Sequence, residues 1–252
     1  MYHAYRDGYS LLPRLNKIRE QDLFLPEPEH VHYLEKKKRA AESQSVFVST
    51  PAFTQELERV VCDTVGRLHP TPGLDVSKFQ TLAMQIHQDL IVHKLGDPDD
   101  FMAAGSICFP SGWWPEQKIG EPLADIHRPI PGMRLNNSRK LVEMMVYHGP
   151  FERYVWSVIF NFDINGHPSR GKVRFDPNRP VVNVKLERQS MFGFPDHDAA
   201  LFVLHVRIIP EKDLDRAALA NALSKMTQEQ LYYKNLEGCV NDVLNHLLRA
   251  PL

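Results

Sequence analysis

Residues 108–132, CFPSGWWPEQKIGEPLADIHRPIPG, bring together side chains that suit a buried site: two adjacent tryptophans, a lysine and a histidine. Five prolines keep most of this segment out of regular secondary structure, because proline fixes φ and lacks a backbone N–H. Pro129 and Pro131 restrict the backbone just after His127, and Asp125 or a nearby carbonyl could fix which ring nitrogen carries the proton. A histidine held in this way suits a metal ligand or a general base, and a purely structural histidine is the alternative.

The other histidines carry weaker signals. His87 and His93 lie six residues apart in one predicted strand and so share a face, an arrangement that would suit a metal pair. No carboxylate or cysteine lies in step with them, so a structural role is favoured. His30 falls in a charged segment, and His205 alternates with Arg207 on the more polar face of its strand. Both are interpreted as surface or strand positions.

Several well-known sites are excluded by the sequence. It contains no GxGxxG, GxxxxGK[ST], HExxH or GxSxG motif, so a dinucleotide fold, a phosphate loop, a zincin and an α/β-hydrolase have no support. The three cysteines, Cys62, Cys108 and Cys239, form no CxxC pair and are expected to be reduced thiols.

The overall charge limits the class of partner that the protein is expected to bind. Thirty Lys and Arg residues against 31 Asp and Glu residues give a net charge of -1, which indicates neither a nucleic acid nor a membrane surface as the main partner. A small partner is expected instead. No signal-peptide pattern and no run of about 18 apolar residues is present, so a cytoplasmic location is expected.

The elements that must position these residues are predicted from hydrophobic periodicity. Five alternating apolar runs predict an antiparallel five-stranded sheet, and the turn GDPDD joins the first two runs into a hairpin: 87–95, 101–109, 153–164, 181–192 and 199–209. Helical spacing and capping residues predict helices within 33–43, 54–68, 138–148, 213–225 and 227–248. The expected class is α+β, with an N-terminal extension (1–50), a central domain (51–210) and C-terminal helices packed on that domain (211–252).

The alternation also predicts which side chains face inward. Trp156 and Phe162 are predicted to share the apolar face of the third strand, and Arg188 shares the apolar face of the fourth strand with Val184. A guanidinium there needs an anionic partner, which either a neighbouring Asp or Glu or a ligand carboxylate or phosphate would supply. The basic run KKKR at 36–39 is expected to be a solvated helix face.

The order of these motifs resembles the family of haem-dependent oxidative N-demethylase α-subunits. The family's Pro-Ser-x-Trp, Lys-x-Gly and Ile-His-x-Pro motifs fall on 110–113, 118–120 and 126–129, and its Glu-Arg-Gln motif falls on 187–189. The order agrees over roughly residues 10 to 210. The chain departs from the pattern at Gly193, where an arginine is usual, and at Val155, where an asparagine is usual, which bears on any substrate contact or salt bridge made through those side chains.

The resemblance implies a PAS-like domain that holds haem b without covalent attachment, in agreement with the missing CxxCH motif. It makes His127 the candidate iron ligand through Nε2, with Nδ1 hydrogen-bonded. Trp113 and Trp114 become candidate walls of an apolar slot. The candidate partners of the two haem propionates are Lys118, Arg134 and Arg188. A core role for the tryptophans and a solvated Lys118 are the alternatives.

The implied activity is oxidation of a small substrate, with oxidative N-demethylation of an amine as the expected reaction. Oxygen would bind at the haem, and a separate flavin or iron–sulfur reductase would supply electrons. A haem-binding PAS-like sensor or carrier module without turnover is the alternative, and a family member that has lost haem is a third possibility.

Overall fold

The computed structural model describes residues 4–9, 14–132 and 138–249, and within these ranges the chain forms one seven-stranded antiparallel sheet and eight α-helices. The strands are β1 (Asn16–Lys17), β2 (Phe47–Ser49), β3 (Asp89–Leu95), β4 (Asp100–Ser106), β5 (Phe151–Ile159), β6 (Asn183–Phe194) and β7 (Ala199–Ile209). The helices are α1 (His30–Ser43), α2 (Gln55–Leu68), α3 (Phe79–Ala83), α4 (Leu123–His127), α5 (Ser138–His148), α6 (Arg216–Ser224), α7 (Gln228–Tyr233) and α8 (Val240–Leu248).

The sheet has the order β1-β5-β6-β7-β3-β4-β2. The α+β class, the five long strands and the β3–β4 hairpin are confirmed. The prediction of a five-stranded PAS-like sheet is corrected, because the described residues add β1 beside β5 and β2 beside β4. These edge strands have two and three residues, which is too short for a two-residue hydrophobic period to be visible in the sequence. None of the helices in the described ranges is long and apolar enough to cross a membrane.

The third predicted strand ends earlier than expected. β5 stops at Ile159, and the chain then enters consecutive turns in which the side-chain oxygens of Asn161, Asp163 and Asn165 each accept a hydrogen bond from the N–H two residues later. Such local side-chain bonds compete with strand pairing. The strand alternation therefore does not reach Phe162, which is 63% exposed and not in the core as predicted.

The predicted helices are confirmed with one correction. Thr54 caps α2, and its Oγ1 accepts the Leu57 N–H. The last predicted helix is divided into α7 and α8, because Asn235 and Gly238 adopt positive φ angles of 58° and 77°, a conformation that ends a right-handed helix. The predicted capping box at Thr227 is present at the start of α7.

The two faces of the sheet are covered by different parts of the chain. The helical face carries Trp156, Val184 and Leu186, which pack with residues of α6, α7 and α8. The other face, called the cavity face below, carries residues that pack with Leu123 of α4 and with the apolar side of α5: Ile91, Met191, Phe202 and Leu204. The segment 108–132 therefore lies on the cavity face together with α5.

Helix α1 contains a buried lysine that the sequence did not predict. Lys37 is 0% exposed, and its Nζ donates to the carbonyls of Ala83, Ile86 and Gln88 and lies 3.3 Å from Asp89 Oδ1. The expectation that the whole KKKR run is solvated is wrong for this residue. Lys37 fixes α1 to the chain that leads into β3.

Candidate functional site

A cavity of about 1070 Å³ lies against the cavity face of the sheet and continues past β5 to the turn between α7 and α8. Small-molecule and cofactor pockets commonly have volumes of about 300–1,000 Å³, so this cavity is large enough for a sizeable cofactor. Its apolar wall includes Ile91, Met102, Met191, Phe202 and Leu204. The segment 109–113 and the end of α4 lie on the other side of the space.

His127 lines this cavity at the C-terminal end of α4. Its Nδ1 lies 2.8 Å from the Leu123 carbonyl oxygen, and only a protonated Nδ1 can donate to a carbonyl. Burial, followed by the charge of Arg153, lowers the pKa of His127 to about 4, so the imidazole is neutral at physiological pH. A neutral ring that donates from Nδ1 carries its free lone pair on Nε2, which is the form that binds a metal. Of the two orienting groups considered from the sequence, the carbonyl acts here, and Asp125 pairs with Arg128 instead.

Of the aromatic and basic candidates in the segment 108–132, some line the cavity and others do not. Trp113 and Lys118 both line the cavity. Trp114 does not belong to the lining, and its ring packs edge-on against His167 with a centroid distance of 4.6 Å. Of the two tryptophans predicted as walls of an apolar slot, Trp113 therefore lies at the cavity and Trp114 does not. Arg134 lies outside the described residues.

Arg188 lies on the helical face, away from the cavity. Its Nε donates to Glu152 Oε2 at 2.7 Å, and its other nitrogens donate to the carbonyls of Leu23 and Asp22 at 3.1 and 2.5 Å. The sequence correctly predicted a buried guanidinium that needs an anion. The anion is the protein's own Glu152, so the assignment of Arg188 to a propionate is wrong.

Two histidines that the sequence placed on one face are on opposite faces. His93 lines the cavity, where its ring packs against Phe202. His87 contacts His205 on the helical face. β3 begins only at Asp89, and its pairing with β4 shifts register between Val92 and His93, so a two-residue alternation does not connect positions 87 and 93.

Sequence reasoning missed the polar part of the cavity wall. Arg153 on β5 lines the cavity, and its Nε has no hydrogen-bond partner among the described residues. Burial lowers the pKa of this guanidinium. Glu187 and Gln189 on β6 line the same wall, and Glu187 accepts hydrogen bonds from Gln189 and from Ser111 Oγ. The signal available in the sequence was that β5 and β6 carry polar residues on one shared face.

Two lysines complete this wall. Lys185 Nζ donates to the carbonyls of Phe109 and Pro110 at 3.3 and 3.1 Å, and Lys234 Nζ donates to the Trp156 carbonyl at 3.2 Å and to Ser157 Oγ at 3.1 Å. Burial lowers the pKa of each lysine to about 8. Among the described lining residues, six lysines and arginines face four aspartates and glutamates. The cavity therefore favours an anionic ligand.

The large cavity, its neutral imidazole oriented by a carbonyl and its excess of cations would suit an anionic ligand with a large apolar area. The sequence model of the haem-dependent oxidative N-demethylase, alpha subunit-like family matches residues 47–244. The chain belongs to this family, and the resemblance predicted from the motifs is confirmed.

Proposed function

We propose that the protein binds haem b non-covalently in this cavity and that His127 Nε2 would hold the iron. The observation that carries the proposal is the His127 Nδ1 contact with the Leu123 carbonyl, which orients the ring and leaves Nε2 as the basic nitrogen. A hydrogen-bonded distal nitrogen is the usual arrangement around a histidine that ligates a metal. His127 is also the residue that falls on the family's Ile-His-x-Pro motif.

The charged groups of the cavity fit the same cofactor. Haem b carries two propionates, and Arg153 offers an Nε that no described group satisfies. Lys118 also lines the cavity. Bound carboxylates would favour the protonated forms of Lys185 and Lys234, whose pKa values burial has lowered. The aromatic ring of Trp113 and the apolar side chains of the sheet would contact the porphyrin.

The proposed activity is oxidation of a small amine at an N-methyl carbon. When bound, the haem supplies an iron at which O2 is activated. In the overall reaction O2, two electrons and two protons convert one N-methyl amine to the demethylated amine, formaldehyde and water. The chain itself binds the substrate, orients it and excludes water, and Glu187 offers a carboxylate to a protonated amine in the cavity. A separate flavin or iron–sulfur reductase supplies the electrons, since the sequence has no nucleotide-binding or CxxC motif.

Spectroscopy and turnover test these two parts separately. Protein expressed with added haem precursor should show a Soret band, a pyridine haemochrome of b type and one haem per chain. With a surrogate reductase and a panel of methylated amines, it should consume O2 and release an equal amount of formaldehyde. Protein with no Soret band would refute haem binding. A haem protein that binds O2 or CO but forms no formaldehyde with any amine of the panel would refute the enzymatic part.

A further inference from the structure

A second cluster of potential metal ligands lies across the sheet from the cavity. His205 projects from the helical face of β7, His87 lies just before β3, and Glu27 comes from the segment that precedes α1. One ligand atom from each of these residues lies within 4.8 Å of the other two. The three side chains belong to distant parts of the sequence, so no local sequence motif predicts the cluster.

The cluster is buried and incompletely satisfied. Glu27, His87 and His205 are 9%, 3% and 4% exposed. His205 Nε2 lies 2.9 Å from Glu27 Oε2, whereas His87 Nε2 has no hydrogen-bond partner among the described residues. Buried polar atoms are nearly always paired, so an unpartnered nitrogen on an imidazole that lies beside a carboxylate and a second imidazole needs an explanation.

Two neighbouring groups contact the side chains of this cluster. His87 Nδ1 lies 3.2 Å from His30 Nδ1, and Arg207 Nε lies 3.3 Å from Glu27 Oε2. A ligating histidine typically has its second nitrogen hydrogen-bonded, and a ligating carboxylate is itself supported by a donor.

We infer that Glu27, His87 and His205 bind a divalent transition-metal ion of the Zn²⁺ class. Two imidazoles and one carboxylate form a donor set that Zn²⁺ accepts, with a fourth position for water. Zn²⁺ bonds to such ligands measure about 2.0–2.2 Å, which places tetrahedral donor atoms about 3.4 Å apart. His205 Nε2 and Glu27 Oε2, which are 2.9 Å apart, therefore separate slightly on binding, and the ion replaces the proton between them. His87 ligates through its unpartnered Nε2. The ion ties the segment before α1 to the segment before β3 and to β7, on the face of the sheet opposite the proposed haem cavity.

The chain offers a matched control for this site. His69 packs beside His87 with a ring-centroid distance of 5.9 Å, but both of its nitrogens already have partners: Nε2 with Gln88 Oε1 and Nδ1 with the Thr71 N–H. His69→Gln therefore changes the same cluster without removing a proposed ligand. His127→Ala removes the proposed iron ligand and leaves this cluster intact.

The test is a Co²⁺ and Zn²⁺ titration of untagged, haem-free His127→Ala protein. One Co²⁺ per chain should bind with visible d–d absorption, Zn²⁺ should displace it, and Zn²⁺ should raise the melting temperature. Glu27→Gln and His205→Gln in the same background should weaken binding at least 10-fold, and His69→Gln should not. Equal binding by all four proteins, or no stoichiometric binding by the parent protein, would overturn the inference.

X-ray absorption covers the case in which the ligand variants do not fold. The Zn²⁺ edge spectrum of the parent protein should show nitrogen and oxygen ligands with the outer-shell scattering of two imidazoles. A spectrum of water ligands alone would also overturn the site. Because the titration uses protein without bound haem, its outcome is independent of the proposed oxidase activity.

Discussion

The Nδ1 atom of His127 lies 2.8 Å from the carbonyl oxygen of Leu123, one helical turn earlier in α4. The helix is only five residues long, and its last residue is His127 itself. The Leu123 backbone is in turn fixed to the sheet, because its N–H donates to Asp100 Oδ2 at 2.8 Å. The imidazole is thus aimed into the cavity by a chain of hydrogen bonds that starts in β4.

His127→Ala should give a folded protein whose haem is weakly bound or spectrally altered, because the proposed axial ligand is lost. The matched control is His93→Ala, since His93 on β3 is the other histidine among the described lining residues of the same cavity. The control should keep the absorption and EPR spectra of a histidine-ligated haem. Because His93 Nδ1 lies 3.5 Å from Asp100 Oδ2, which also holds the Leu123 N–H, His93→Ala can shift the spectrum slightly. A wild-type spectrum from His127→Ala would contradict the assignment of the iron ligand.

Arg153→Met should weaken haem binding by about 10- to 100-fold, which corresponds to the roughly 1.5–3 kcal/mol of a hydrogen bond to a charged group. The reason is that the Arg153 Nε is unpartnered among the described residues of the cavity and is available to a propionate. Titration of haem into the apo variant measures the effect.

Arg188→Met is the control for Arg153, because Arg188 is bound to Glu152 on the other face of the sheet. It should lower the free energy of unfolding by up to about 3 kcal/mol, the lower end of the cost of breaking a buried pair, since Glu152 keeps some solvent exposure. Its haem affinity, compared under conditions where it is folded, should equal that of the wild type. A loss of haem affinity as large as that of Arg153→Met would contradict the separation of the two arginines.

The comparison of these two arginines shows what the sequence could predict. Alternation in β6 correctly placed Arg188 on an apolar face, and the motif around His127 pointed to the residue that lines the cavity. Alternation could not show that the polar face of β5 and β6 is also buried. The elements that pack over this face are α4, α5 and the rest of the segment 108–132, and they lie outside β5 and β6 in the sequence. Arg153 was therefore not among the residues predicted for the site.

The histidine cluster escaped prediction for a related reason. His30 and His205 have charged neighbours in sequence, and a charged neighbour favours a surface position. In the fold, both lie against His87. Contacts between distant segments decide the environment of such residues, and a local sequence pattern contains no information about those contacts.

Lys37→Met should destabilise the protein by about 3–5 kcal/mol, the usual cost of leaving one member of a buried ion pair uncompensated. Lys37 and Asp89 have side-chain exposures of 0% and 1%, and the substitution also removes the donor to three carbonyls. Lys38→Met, one position along α1 and exposed, should change stability by no more than about 0.5 kcal/mol. Chemical denaturation of the two variants gives the comparison.

A double variant separates the charge from the packing at this position. Asp89→Asn combined with Lys37→Met removes both charges, so it should recover part of the stability lost in Lys37→Met alone. A double variant that is less stable than expected from the sum of the single variants would show that the ion pair is not the origin of the effect.

Lys185→Met should change how stability depends on pH. Burial lowers the folded-state pKa of Lys185 from the ordinary 10.5 to about 8, so between these values the unfolded chain binds a proton that the folded chain does not. Stability rises with pH wherever the unfolded state binds more protons. The wild type should therefore gain stability relative to Lys185→Met as the pH rises from about 8 towards 10, by up to about 1.4 kcal/mol per pH unit. Below pH 8 the difference between the two proteins should be constant. Denaturation curves at half-unit pH steps measure the difference, and parallel curves for the two proteins across pH 8 to 10 would show that Lys185 is not the buried, partly deprotonated amine that anchors Phe109 and Pro110.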